Sequence, residues 1–236
     1  MLPKGILFDL DDTIIAFEAV ANTAWTEVCE MFYKNCGLTS SDNLFQSILK
    51  ARKWYWSDRE RHKAGRQNLC KTRRGIIKLA LENIEIFNIS LVNEIADTYS
   101  KHRLELIRLF PMALETLEYL KEKNVSLALI TNGSSEQQRN KIERFHLAKF
   151  FNTILIEGEL GYGKPDEKVY IMALKKLNLK PDEVWSVGDN LEWDVLGPQQ
   201  LGIFGIWNDY KNAGSPSTSD IKPDRIINSI AELINH

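Results

Sequence analysis

Residues 5–8, Gly-Ile-Leu-Phe, carry no charge and stop at Asp9. A run that is apolar at consecutive positions suits a strand covered on both faces, as in a parallel sheet. Similar runs occupy residues 125–131, 153–157, 184–188 and 203–207. Between them, helical spacing of apolar positions predicts helices over 112–123, 136–145, 166–177 and 191–201, with a last helix over 229–235. From about residue 111 onward, then, helix and strand alternate, which predicts a doubly wound α/β sheet. Residues 17–109 break the pattern. Ile76, Ile77, Leu79, Ala80, Leu81 and Ile84 recur at helical period there, and no strand pattern appears. The expected organisation is an α/β core of residues 1–16 and 110–236 with an all-helical domain, 17–109, inserted after the first strand. Residues 213–219 are small and polar and predict a surface loop.

Composition narrows the class. The chain has 236 residues, enough for one core and a smaller domain. A hydrophobic share of 44% with 26% charged residues suits a folded globular protein. The formal net charge of −2 gives no global attraction to nucleic acid or to an anionic membrane, and neither partner is expected. No apolar run approaches membrane-spanning length, and the first residues lack a signal-peptide pattern. Cys29, Cys36 and Cys70 are odd in number and show no metal-ligand spacing, which fits reduced thiols in a cytoplasm. The four histidines are scattered without partner spacing. Monomer and homodimer both stay open.

In open α/β sheets, ligands bind beyond the carboxyl ends of the strands. Four polar clusters fall at such ends: Asp9-Leu10-Asp11-Asp12-Thr13, Thr131-Asn132-Gly133, Gly163-Lys164-Pro165, and Gly188-Asp189-Asn190 with Asp194. Carboxylates of the first and last suit a hard divalent cation such as magnesium, which prefers oxygen ligands. Lys164 and the Thr131 hydroxyl suit phosphoryl oxygens. Backbone N–H groups near Asn132 and Gly133 open a helix and favour an anion.

These four motifs, in this order, resemble the haloacid dehalogenase superfamily in its phosphatase branch. The pattern there is Asp-x-Asp-x-Thr, a Ser/Thr after an apolar strand, a Lys often followed by Pro, and Gly-Asp with a later Asp. A helical cap after the first motif is also similar. The resemblance implies a Mg2+-dependent hydrolase of a small phosphorylated metabolite, working through an aspartyl-phosphate. It implies Asp9 as nucleophile and Asp11 as general acid/base. Thr131, Asn132 and Lys164 are implied as substrate ligands. Asp9, the backbone carbonyl of Asp11, Asp189 and Asp194 are implied at the metal, Asp194 as an outer ligand or orienting group. Asp11 is expected to carry a proton when substrate arrives. Its presence favours phosphate chemistry over dehalogenation, because an alkoxide leaving group needs a proton and a halide does not. A sugar phosphomutase and a catalytically idle binding protein are the remaining alternatives. Acylneuraminate 9-phosphate, phosphoglycolate and nucleotides are comparable candidate substrates.

One segment lies outside this set. Residues 51–78 hold ten Lys or Arg against two acids, with Trp54, Tyr55 and Trp56 among them. The expectation is a solvated helix face with the tryptophans packed in the cap core, leaving one or two arginines to face an anion.

Overall fold

Four short segments, each stopping at a polar turn, build the centre of the molecule. The computed structural model describes residues 2–214 and 220–234, so most of the expected 213–219 loop lies outside the described residues. The described residues divide into two compact units, one of residues 1–16 with 108–236 and the other of residues 17–107.

In chain order the first unit begins with β1 (Gly5–Phe8) and β2 (Ile15–Ala16). The second unit then contributes α1 (Ala21–Phe32), α2 (Ser41–Trp56), α3 (Arg59–Gln67), α4 (Leu69–Glu82) and α5 (Ile89–Leu106). The chain continues with β3 (Arg108–Leu109), α6 (Ala113–Glu122), β4 (Ser126–Thr131), α7 (Ser135–Arg144) and β5 (Thr153–Ile156). It closes with α8 (Glu157–Leu160), α9 (Glu167–Leu177), β6 (Val184–Gly188), β7 (Phe204–Asn208) and β8 (Arg225–Ile227).

The main sheet has the order β5-β4-β1-β6-β7-β8, and every neighbouring pair is parallel. β1 sits at the switch point, with β4 on one side and β6 on the other. Phe8 is level with Leu129 of β4 and Val187 of β6, so β1 ends first and β4 and β6 run on beside it to Thr131 and Gly188. Ile6, Leu7 and Phe8 are buried, as their uninterrupted hydrophobicity requires. On one face Leu7, Ala128, Ile130 and Leu155 pack against Val169, Tyr170, Ala173 and Leu174 of α9. That alternation along β4 is the period-two signature of a strand.

The helical unit is held by its own core. Trp25 and Val28 of α1, Leu44 and Ile48 of α2, Ile77 and Leu81 of α4, and Ile95 and Tyr99 of α5 are all buried in it. Side chains of Ser40, Asp58, Asn68 and Asn88 accept backbone N–H groups at the starts of α2, α3, α4 and α5. Each such cap stabilises a helix by about 1 kcal/mol. No helix among the described residues is long and apolar enough to cross a membrane.

Five features differ from expectation. β2 and β3 form an antiparallel pair of two residues each, joining the segments where the chain leaves and re-enters the first unit. Such a short ladder has no readable period. β8 is an edge strand of three residues, also too short to signal itself. The expected helix over 191–201 is a π-helical turn, Leu191–Leu196, running into Gly197–Gln199. Pro198 lacks an N–H, and the Trp193 carbonyl instead accepts the Tyr170 hydroxyl. Trp54 is not packed in the helical core: about half its surface is exposed and the Arg61 guanidinium lies 4.0 Å above its ring. The final helical turn is 3-10, Ile230–Leu233, capped by Ser229.

Candidate active site

The Asp9 amide extends the β1 ladder by donating to the Val187 carbonyl at 2.9 Å. Beyond it the chain turns back sharply. The Ile14 and Ile15 amides both reach the Leu10 carbonyl at 3.0 Å, and Asp12 takes a left-handed conformation at φ 60°. An aspartate tolerates that conformation better than most residues. The Asp12 carbonyl accepts from the Asn208 side chain at 3.2 Å, and the Thr13 hydroxyl donates to Asp9 at 3.3 Å. Thr13 and Asp12 therefore hold the loop that presents Asp9 and Asp11.

Lys164 is the central cation. Its Nζ lies 2.6 Å from Asp9 Oδ1 and 2.6 Å from Asp194 Oδ1, and the lysine is only 3% exposed. Burial alone would lower its pKa, but the Asp194 and Asp9 carboxylates outweigh that and hold it charged, above its ordinary value. Asp194 is fixed from its other oxygen by the Asn190 amide at 3.0 Å. Gly188 makes room for it: a Cβ there would stand 2.2 Å from Asp194 Cγ.

Carboxylate oxygens of Asp9, Asp189 and Asp194 lie within 4.8 Å of one another. Burial, then the Asp194 charge, push Asp9 up to about 7 against the pull of Lys164. Burial and the charges of Asp9, Asp194 and Asp12 push Asp189 up to about 9. When all three carboxylates are ionised, they face one ammonium and carry two negative charges in excess. Oxygen donors with that excess fit a hard divalent cation.

Asp11 faces the other way. Its carboxylate accepts Lys141 Nζ at 2.8 and 2.7 Å and the Gln138 amide at 3.1 Å, and it is not part of the three-carboxylate cluster. The Gln138 amide also donates to the Thr131 hydroxyl, which links the ends of β1 and β4. The charged side chain that hydrogen-bonds Asp11 is therefore the Lys141 ammonium.

Asn132 and Gly133 both have partners within the fold. Asn132 donates to the Lys164 carbonyl at 2.7 Å and accepts its amide at 2.8 Å, so the side chain is spent on holding the Lys164 loop. The Gly133 N–H, expected to favour an anion, donates to the Glu157 carboxylate at 2.9 Å. Gln138, Lys141 and Glu157 were not singled out from the sequence. A signal existed for two of them. α7 has one aliphatic residue, Ile142, so its inward side must bury polar side chains as well, and Gln138 and Lys141 are those buried.

A parallel sheet whose carboxyl edge carries this constellation matches a known hydrolase family. The family model of haloacid dehalogenase-like hydrolases covers residues 3–202, and the chain belongs to that family. It is similar to glyceraldehyde 3-phosphate phosphatase of Pyrococcus furiosus, 28% identical over 208 residues, or 88% of this chain and 81% of that one. The 2-haloacid dehalogenase structure from Pseudomonas syringae is 25% identical with a TM-score of 0.62, covering 100% of this chain and 97% of that one. The structure of the hydrolase YfnB from Bacillus subtilis is 19% identical with a TM-score of 0.75, covering 100% and 98%, and shows the shared fold.

Proposed function

We propose that the protein hydrolyses a small phosphomonoester in two phosphoryl transfers, with Asp9 as nucleophile and Asp11 as general acid and then base. One observation carries the reading. Two carboxylates two residues apart sit on separate cations, Asp9 on Lys164 and Asp11 on Lys141. In the first transfer an Asp9 oxygen bonds to phosphorus as the ester P–O bond breaks, and Asp11 gives its proton to the departing alkoxide. In the second, water attacks phosphorus, Asp11 accepts a water proton, and the Asp9 carboxylate is released. Lys164, buried at the centre, offsets the repulsion between an anionic nucleophile and an anionic phosphate. The Thr131 hydroxyl, at the end of β4, is a further phosphoryl ligand. Lys141 and Gln138 fix the orientation of Asp11. A magnesium ion held by Asp9, Asp189, Asp194 and the Asp11 carbonyl supplies Lewis-acid charge stabilisation when bound.

The relative that hydrolyses glyceraldehyde 3-phosphate supports a small phosphorylated metabolite as substrate. Asp11 weighs against dehalogenation. The test is phosphate release from p-nitrophenyl phosphate and a panel of sugar, glycolate and nucleoside phosphates, with and without Mg2+. Activity should require the metal and vanish in Asp9→Asn. Equal activity of Asp9→Asn would refute the nucleophile. Isomerised product without free phosphate would indicate a mutase, and halide release from a haloacid a dehalogenase.

A further inference from the structure

β7 ends on an asparagine, a residue that strands disfavour, directly after the buried Gly205, Ile206 and Trp207. Asn208 is itself only 2% exposed. Its Nδ2 donates to the Asp12 carbonyl at 3.2 Å. A carbonyl only accepts, so this bond fixes which end of the amide is which. The other end, Oδ1, is buried with no hydrogen-bond partner among the described residues. A buried polar atom left unsatisfied costs about 1–3 kcal/mol and points to a missing partner, here a donor.

The place of Asn208 in the sheet narrows what that donor is. β6 lies between β7 and β1. Trp207 is level with Gly188, the last residue of β6, which puts Asn208 level with Asp189. To reach the loop after β1, the Asn208 side chain crosses the end of β6, where Asp189 leaves the sheet. Trp207 ties the same turn, its indole N–H donating to the Asp189 carbonyl at 2.8 Å. The surroundings are rich in acceptors: the Asp12 carbonyl and the clustered carboxylates of Asp9, Asp189 and Asp194. The buried ammonium of Lys164 is spent on Asp9 and Asp194. Water is the donor that such surroundings admit. A water on a divalent cation suits the position best, because the metal polarises its O–H bonds and magnesium keeps several waters when protein binds it.

We propose that Asn208 is an outer member of the cation site, its Oδ1 accepting a hydrogen bond from a water bound to the divalent cation. Asn208 is a positioning residue in this scheme. One end of its amide orients the water and the other holds the Asp12 loop. The proposal rests on the cation site of the phosphatase reading and not on phosphate release.

The test titrates the full chain with Mg2+ by calorimetry, without substrate, in wild type, Asn208→Leu and Asn208→Asp. Both variants lose the donor to Asp12, and only Asn208→Asp keeps an acceptor oxygen. Asn208→Leu should raise the Mg2+ Kd about tenfold or more, the usual effect of removing a group that orients a metal's ligands. Asn208→Asp should bind Mg2+ at least as tightly as wild type. Unfolding in EDTA reads the lost Asp12 contact separately, and stability should fall in both variants. Asn208→Val removes the same oxygen with a smaller side chain and takes the place of leucine if that variant does not fold. The proposal is overturned if the apolar variant binds Mg2+ within about twofold of wild type, which would make the missing donor a buried water unconnected to the cation. It is overturned equally if Asn208→Asp weakens binding as far as Asn208→Leu, since the Asp12 contact alone would then explain both. Wild type that binds Mg2+ without releasing phosphate from any ester refutes the phosphatase reading alone, and the variants still decide the proposal. Wild type that binds no Mg2+ overturns the proposal together with the cation site.

Discussion

Lys164→Met, measured without metal, tests whether one buried ammonium holds the strand ends together. Lys164 is buried between Asp9 and Asp194, each 2.6 Å away. At an effective dielectric near 20, each contact has a gross attraction of roughly 6 kcal/mol. Desolvation of the three ions cancels much of this, at several kcal/mol per ion. The variant keeps the desolvated carboxylates and removes their cation, so the net cost approaches that of breaking a buried pair, about 3–5 kcal/mol. For a chain of this size that lowers Tm by about 6–20 °C. The assay is urea and thermal unfolding followed by circular dichroism in EDTA. Adding Asp9→Asn and Asp194→Asn to Lys164→Met should recover most of the loss, because the two carboxylates that Lys164 pairs with are then uncharged. A loss below about 1 kcal/mol in the single variant would refute the reasoning, and so would a triple variant less stable than the single one.

Gly188→Ala places a Cβ 2.2 Å from Asp194 Cγ and should cost about 1–3 kcal/mol in unfolding free energy, together with most of the phosphatase activity. Mg2+ at about 100 times its dissociation constant should stabilise wild type by about 2.7 kcal/mol in a melt, and Asp189→Asn should lose most of that gain. Lys141→Met, which frees the Asp11 carboxylate, should lower kcat about tenfold with KM within about twofold in steady-state assays; unchanged kcat would remove Lys141 from the positioning of Asp11. Ellman's reagent should titrate Cys70 in the native protein and reach Cys29 and Cys36 only after unfolding, since both are buried and burial pushes Cys29 up to about 12.

The parts legible from sequence were those whose signal is local. β1, β4 and β6 read as uninterrupted apolar runs because both faces of each strand are covered. Asp9, Asp189 and Asp194 could be brought together because strand ends in a parallel sheet converge. Features set by non-local geometry were not legible. Glu157 meets the Gly133 amide only because β5 lies beside β4. The widened turn at 191–196 depends on Tyr170, whose hydroxyl reaches it from α9. In the helical unit the excess of basic residues was visible, but not that Arg52 and Arg73 of that stretch meet Arg103, thirty residues further on, around one stacked ring pair.

The spacing Asp-x-Asp has a physical consequence that either carboxylate alone lacks. Successive side chains of an extended strand point to opposite faces, so residues 9 and 11 would share one face if β1 continued. It stops at Phe8, and the left-handed Asp12 closes a turn instead. The turn sends the Asp9 carboxylate to Lys164 and the Asp11 carboxylate to Lys141. The first lysine comes from the loop after α8, the second from α7, so the two ion pairs are anchored in separate elements. The first environment also holds Asp189 and Asp194 and is short of two positive charges; the second has its ammonium already. A divalent cation therefore has reason to settle at Asp9 and none to settle on the Asp11 side chain. On the proposed mechanism, that electrostatic split is what would let two chemically identical groups take different tasks, one attacking phosphorus and one moving a proton.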